Sequence, residues 1–288
     1  MTNAHYQRLI NTNRHRIVSL HLQDKLHLSY FTLLLKNDEL FNRLECIVLE
    51  KFQYNDLQLL FPHLRILPRL FSLIINVKVY GTQIDKLYQF IFSLPVLKYN
   101  KIVIDNHNFF ILSWMIDQIS SLEHIILDFP CSFWELLAIL TYTPRLNHFS
   151  CKRLTESTYG NFTLPANVTH LRSIFIKECY FTFDVFETLA QSLFSRIEIL
   201  HLTVLYHATF IDPDRWERLV LRHMPHLRIL NFKYVVSNGS PSRVEPYNLA
   251  FNQFISSFWI ERKWFFTLQL HPDIIQNIRK TCFIQMIK

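Results

Sequence analysis

The stretch Leu67-Pro68-Arg69-Leu70-Phe71-Ser72-Leu73-Ile74-Ile75 holds the pattern on which the fold turns. Its first four residues return in altered form as LPVL at 94–97, TPRL at 143–146 and MPHL at 224–227. Its last six place apolar residues at an anchor, three positions on and five positions on, here Leu70, Leu73 and Ile75. The same spacing occurs in Leu44/Ile47/Leu49, Leu122/Ile125/Leu127, Leu171/Ile174/Ile176 and Leu227/Leu230/Phe232, with weaker versions from Ile17, Leu146, Ile197 and Phe265. One more unit lies near residues 97–104, where Leu97 and Tyr99 both qualify as the anchor.

With Leu97 taken for that unit, successive anchors are separated by 27, 26, 27, 25, 24, 25, 26, 30 and 38 residues. A period of roughly 20–29 residues carrying L-x-x-L-x-L is the leucine-rich signature, in which a short strand and a helix make one unit and each unit buries its apolar face against its neighbours. The expected fold is α/β: an irregular leucine-rich repeat solenoid, ribonuclease-inhibitor-like, with a parallel concave sheet and convex helices. Residues 1–288 are expected to form a single domain of about ten units. The two long spacings predict insertions at 205–215 and 235–262 that loop out, and residues 153–170 carry no helical pattern and predict a loop. The consensus asparagine or cysteine after the strand is met well only by Cys179; the other units place Phe52, Lys78 or Pro130 there. With three glycines in the chain, the turns also differ from those of a regular array.

Between anchors the chain reads as helix. Ile84, Leu87, Tyr88 and Ile91 follow the i, i+3, i+4, i+7 rule, as do Phe186, Leu189, Ala190 and Leu193, and Trp216 with Leu219 and Val220 makes another such face. Thr82-Gln-Ile-Asp85 and Ser132-Phe-Trp-Glu135 read as capping boxes, and Asp212-Pro213 as an N-cap with proline at the first helical position. Proline cannot continue a helix, so in the four-residue motifs it is expected to stop each helix and aim the chain into the next strand.

Half of the 288 residues are hydrophobic and 18% are charged, a composition that buries a core and excludes a disordered polymer. No apolar run approaches the roughly 18 residues of a membrane span, and the start, MTNAHYQRLINTNRHR, has no apolar run of signal-peptide length. These features predict a soluble cytoplasmic or nuclear protein with no membrane partner. Five cysteines without a CxxC pair predict reduced thiols and no metal site. Gly81, Gly160 and Gly239 stand alone, so no phosphate-cradling loop is written, and no HExxH or GxSxG occurs. The expectation is a protein that is not an enzyme and uses no cofactor. Net charge is +7, and it lies almost wholly in residues 145–288, with 17 Lys/Arg against 11 Asp/Glu. That bias leaves open a nucleic-acid binder using the basic C-terminal half, although no run of consecutive basic residues occurs.

In a strand of period two the residues between the buried leucines face out. The central outward position reads His21, Val48, Ile74, Val103, Ile126, Ser150, Phe175, His201, Asn231 and Gln269. Two positions on, the row reads Gln23, Glu50, Asn76, Asp105, Asp128, Lys152, Lys177, Thr203, Lys233 and His271. The first half is therefore apolar with acids beside it, and the second half carries lysines. From these rows Val48, Glu50, Ile74, Val103, Asp105, Ile126, Asp128, Lys152, Phe175, Lys177, His201 and Lys233 are the candidate binding residues, for a protein partner held on the concave sheet. The plainer account of the same rows is that β-branched residues favour strands and that lysines are solvated.

RHRIVSLHL at 14–22, LFNRLECIVLEKF at 40–52 and LPRLFSLII at 67–75 look like the repeat region of F-box/leucine-rich repeat proteins, especially the expanded invertebrate families, and the resemblance covers most of the chain. It implies the substrate-binding part of an F-box ubiquitin-ligase receptor. In that family an N-terminal F-box of some forty residues docks a ligase adaptor. Here the first unit begins at Ile17, so the F-box itself is expected to be absent from this chain and an adaptor is expected as a partner only if one lies upstream.

Overall fold

The computed structural model describes residues 8–10, 12–35, 41–104, 119–156, 170–205, 207–235, 254–264 and 281–283. The chain parts into two compact units, the first comprising Met1–Phe129 and Trp134–Leu146, the second Pro130–Phe133 and Asn147–Lys288.

In the first unit, strands β1 (Ser19–Leu22), β2 (Cys46–Gln53), β3 (Ser72–Lys78), β4 (Tyr99–Val103) and β5 (His124–Ser132, whose last three residues belong to the second unit) pair in parallel in chain order. Between them run helices α1 (Lys25–Leu35), the short α2 (Tyr54–Leu57) and α3 (Phe61–Leu64), and α4 (Gln83–Phe92); α5 (Phe133–Tyr142) follows β5. In the second unit β6 (His148–Thr155), β7 (Ser173–Tyr180), β8 (Ile199–Leu205) and β9 (Ile229–Val235) pair in parallel, with α6 (Phe183–Leu193) and α7 (Pro213–His223) between strands and α8 (Ser257–Glu261) after them. The last strand, β10 (Thr281–Phe283), pairs antiparallel to β9, which departs from the all-parallel expectation.

Among the described residues, each of the nine parallel strands starts two residues after an anchor. Leu44, Leu70, Leu97, Leu122, Leu146, Leu171, Ile197 and Leu227 are all buried. The anchors hold because the backbone just beyond them is shared between neighbours. The carbonyl of the residue after one anchor accepts the N–H groups of the first two residues after the next: Val18 from Glu45 and Cys46, Phe71 from Lys98 and Tyr99, Lys98 from Glu123 and His124. In the second unit Asn147 accepts from Arg172 and Ser173, and Arg172 from Glu198 and Ile199. Buried backbone groups must be paired, so this recurrent two-to-one bond fixes where each strand begins.

The prolines stand where the sequence predicts, but they are not what makes the turn. Leu146 donates its N–H to Thr143 at 2.9 Å and Leu227 to Met224 at 3.1 Å, closing β-turns with Pro144 and Pro225 at the second position. Leu44 and Ile197 close the same turn on Phe41 (3.0 Å) and Phe194 (3.1 Å) without proline. Common to all of these turns is a buried first residue, Phe41, Leu67, Leu94, Thr143, Phe194 or Met224.

The apolar helix stripes are buried as expected, Ile84, Leu87, Tyr88 and Ile91 in α4 and Phe186, Leu189, Ala190 and Leu193 in α6. Asp212 caps α7 by accepting the Arg215 N–H at 2.9 Å, with Pro213 at the first helical position. The capping box expected at Thr82 does not form. Thr82 is itself helical in backbone and makes no side-chain cap bond, while Gln83 Oε1 accepts the Tyr80 N–H at 2.9 Å, a longer side chain reaching back to the turn in its place. A box not foreseen closes α2, where Asp56 accepts the Gln53 N–H at 3.1 Å.

The insertion at 205–215 does not loop out. A 3₁₀ turn, Ala208–Phe210, drives the Phe210 ring into the core, where it meets Phe183 at 5.1 Å and Trp216 at 6.2 Å, and Trp216 donates its indole N–H to the Phe210 carbonyl at 2.9 Å. The spacing does not announce this, because the apolar residues of so short an insertion show no period. Of the second insertion, residues 254–262 are described and carry α8; their Phe254, Phe258 and Trp259 cluster with Trp264 just beyond them. Most of the loop expected at 153–170 lies outside the described residues, but Arg153–Thr155 complete β6. No helix among the described residues is long and apolar enough to cross a membrane.

Candidate recognition surface

Period-two alternation gives the parallel strands an inner set that is buried and an outer set that is half-buried or exposed, apart from Ser150, which is buried on the outer row of β6. Among the described residues the inner positions take Leu, Ile, Val, Phe and Cys, with Tyr234 in β9 and one polar residue besides. The polar one is Asn100, 1% exposed in a leucine slot of β4, whose amide donates to the Leu73 carbonyl at 2.9 Å. A buried amide without such a partner would cost about 1–3 kcal/mol.

Asn100 also explains an error in the expected rows. Because it interrupts the apolar spacing, Leu97 and Tyr99 are equivalent as anchors in the sequence, and counting from Tyr99 puts Val103 in the central row. The register places Lys101 there, paired with Ile74 on one side and Ile126 on the other, whereas Val103 pairs with Asn76 in the next row. The central row of the first unit is thus His21, Val48, Ile74, Lys101 and Ile126. Val48, Ile74 and Ile126 are half-buried. Asp105 lies outside the described residues.

At one end of this face Glu50 accepts from Gln23 Nε2 at 3.1 Å and stands 3.3 Å from His21 Nε2, so the acid is already engaged by residues of the adjacent strand and the chain just after it. β2 is irregular here: Lys51 adopts a φ of 63°, and the register with β3 slips between Leu49 and Phe52. A side chain in the left-handed region is uncommon outside glycine, and the bulge turns Phe52 inward, where it is buried. Asp128 is half-buried on β5.

The second unit gathers its candidates more tightly. Ser150, Phe175, His201 and Asn231 are in register across β6–β9. Phe175 stacks on His201, with ring centroids 4.1 Å apart and planes 21° apart, and His148 approaches the other side of Phe175 at 4.9 Å. Over this row lies a cavity of about 250 Å³ lined by Ser150, Phe175, Ile176, Lys177, His201, Leu202, Thr203, Asn231 and Lys233. Four of the predicted residues, Phe175, Lys177, His201 and Lys233, are brought together in it. Lys152 is exposed on β6, outside the cavity lining.

Burial holds the His201 imidazole below the ordinary histidine range and the Lys233 ammonium below that of lysine. Both shifts have one cause, the loss of water around the charged form. Beyond the cavity Arg153 bonds Glu178 at 2.8 Å and lies 4.8 Å from the Tyr180 ring centre, a pair whose members sit one repeat apart and which single-unit spacing does not reveal. Burial pushes the Cys179 thiol up, as suits a core residue rather than a nucleophile.

No protein-family model matches this sequence, and no curated protein matches it either.

Proposed function

We propose that this chain is a non-catalytic protein-recognition module of the leucine-rich repeat class, a ribonuclease-inhibitor-like solenoid that holds its partner on the concave, strand side. The observation that carries the proposal is the cavity on β6–β9, which draws Ser150, Phe175, Lys177, His201, Thr203, Asn231 and Lys233 from four consecutive strands onto one open face. Strand-first units recurring every 24–30 residues support the repeat class. A frame whose outer side chains vary while its inner ones do not suits binding, because neighbouring strands offer side chains at a fixed spacing of about 4.8 Å. On the resemblance to F-box/leucine-rich repeat proteins, the partner would be a substrate awaiting ubiquitination.

The test is affinity capture from native extract with the intact chain beside a Val48→Glu, Ile74→Glu, Ile126→Glu variant and a Lys177→Glu, Lys233→Glu variant, each first shown by circular dichroism to fold. The proposal expects a partner retained by the intact chain and lost from at least one variant, with ligase subunits recovered if the F-box connection holds. Capture unchanged by both variants contradicts it. Binding of nucleic acid by the basic half would show instead as affinity falling steeply with salt.

A further inference from the structure

The cavity of the second unit carries its recognising chemistry in neutral groups. Lys177 and Lys233 border it but are already engaged within the chain. Thr203 and Asn231, both half-buried in its lining, have no side-chain hydrogen-bond partner among the described residues. Each of these two side chains both donates and accepts. Burial holds the His201 imidazole below the ordinary histidine range, so at neutral pH the ring beside them is uncharged as well.

Their positions follow from the unbroken part of the register. Phe175, His201 and Asn231 are direct partners across β7, β8 and β9, ahead of the slip between Ile176 and Cys179, and Thr203 lies two residues along β8 within the continuous β8–β9 pairing. Phe175 and His201 stack at 4.1 Å with planes 21° apart. On the β6 side His148 closes on Phe175 at 4.9 Å, but on the β9 side the next place in the row belongs to Asn231, which has no ring. Neighbouring strands stand about 4.8 Å apart, within the range of offset-stacked rings, so a planar group in the Asn231 place continues the stack. The space, about 250 Å³, is smaller than the roughly 300–1,000 Å³ of sites for drug-sized ligands and suits a single side chain. Phenylalanine there would leave both polar groups without a partner, and tryptophan would bring a donor only. Tyrosine brings a ring for the stack and, on one oxygen at its end, a donor and an acceptor. Thr203 and Asn231 are diagonal neighbours with backbones about 8 Å apart, so one oxygen between their side chains can bond both.

Resting on the recognition function proposed above, we infer that this cavity receives a tyrosine side chain of the protein partner, entering hydroxyl first, its ring parallel to His201 in the Asn231 place and its hydroxyl bonded by Thr203 and Asn231. The buried ring supplies contact area, and the unpaired hydroxyl and amide supply the selection for tyrosine over phenylalanine.

The experiment adds N-acetyltyrosinamide to the full chain and follows the histidine ring protons by NMR, those of His201 being assigned through His201→Gln. N-acetylphenylalaninamide and an oligothymidylate serve as separate probes. A ring stacked on His201 is expected to shift its protons upfield to saturation, with the phenylalanine amide binding about fivefold more weakly. Thr203→Val, nearly unchanged in shape, should cut that preference about threefold. Asn231→Tyr, which puts a ring of the chain's own in the slot, should abolish binding while the circular dichroism stays that of the intact chain. The inference is overturned if N-acetyltyrosinamide leaves the His201 protons unmoved, if the phenylalanine amide binds as tightly, if Thr203→Val keeps the full preference, or if only the oligothymidylate binds. Should that happen while the Val48, Ile74 and Ile126 substitutions still abolish partner capture, the recognition function stands and only this assignment of the cavity falls.

Discussion

The two units put the same inner face behind different outer faces. Leu73, Ile125 and Leu200 occupy equivalent buried slots with equivalent chemistry, yet the outer residues beside them, Ile74 and Ile126 in the first unit and His201 in the second, share nothing but their place in the register. In the first unit the outer row runs from His21 through the aliphatic Val48, Ile74 and Ile126, broken by Lys101 and edged by Glu50 and Asp128. In the second it is Ser150, Phe175, His201 and Asn231, edged by Lys152, Lys177 and Lys233. Stability is set on one side of each strand and leaves the other side free to vary, which is why partner chemistry can change from strand to strand without a change of fold.

The largest expected effect tests that division within each unit. Leu73→Ala and Leu230→Ala should each cost about 2–5 kcal/mol in urea denaturation, whereas Ile74→Ala and Asn231→Ala, one residue on, should cost about 1 kcal/mol or less. Equal losses at inner and outer positions would break the comparison.

Asn100 sharpens it. Removing the buried amide with Asn100→Ala leaves the Leu73 carbonyl without its side-chain partner and should cost about 1–3 kcal/mol. Asn100→Leu restores the apolar slot and should recover most of that loss, read from the same unfolding curves.

The next test contrasts helix starts in the two units. Asp212→Ala should destabilise by about 1 kcal/mol, and Thr82→Ala, at a position that makes no cap bond, should leave the thermal midpoint within error of the unmodified chain.

Turns give a smaller effect with the opposite sign. Ser195 holds the slot that Pro144 and Pro225 hold elsewhere, so Ser195→Pro should raise stability by about 0.4–1 kcal/mol through the unfolded chain, as measured by chemical denaturation.

The smallest effect is the pH dependence confined to the second unit. His201 has a lowered pKa through burial, so the unfolded chain binds its proton more readily than the folded one. Its contribution to stability is therefore full above the unfolded value of 6.5 and falls as pH drops from there through the lower folded pKa. His201→Gln should flatten that part of the stability–pH curve; an unchanged curve would show that His201 is solvated like the surface histidines.

Most of the frame was legible because burial in this fold is local and periodic. The anchors announced every parallel strand, and the strand starts fall two residues after them without slippage. What escaped was set by contacts between neighbours rather than by spacing within a unit. Asn100 filled a core slot through a bond to another strand, which displaced Val103 from the central row and hid Lys101. Phe210 entered the core from an insertion with no period of its own, and Gln83 took over the N-terminal turn from the better capping residue Thr82. The strands also run longer than the consensus suggests. Phe52, Leu154 and Cys179 at the consensus position, with Val77 and Val204 one residue before it, continue the buried column, and ladder pairing continues with them. For the candidate surface, the rows named Phe175, Lys177, His201 and Lys233 individually, but only the register and the cavity showed that they converge.

The most direct test of the division between a structural inner side and a recognising outer side is a photo-crosslinking map in native extract. A benzophenone amino acid is placed singly at Ile74 and Thr203 on the strand side, and at Leu33 and Leu221, both exposed on helices, with adducts identified by mass spectrometry. The account predicts that a common partner protein is captured from Ile74 or Thr203 and not from Leu33 or Leu221. Adducts arising from the helix positions alone would contradict it.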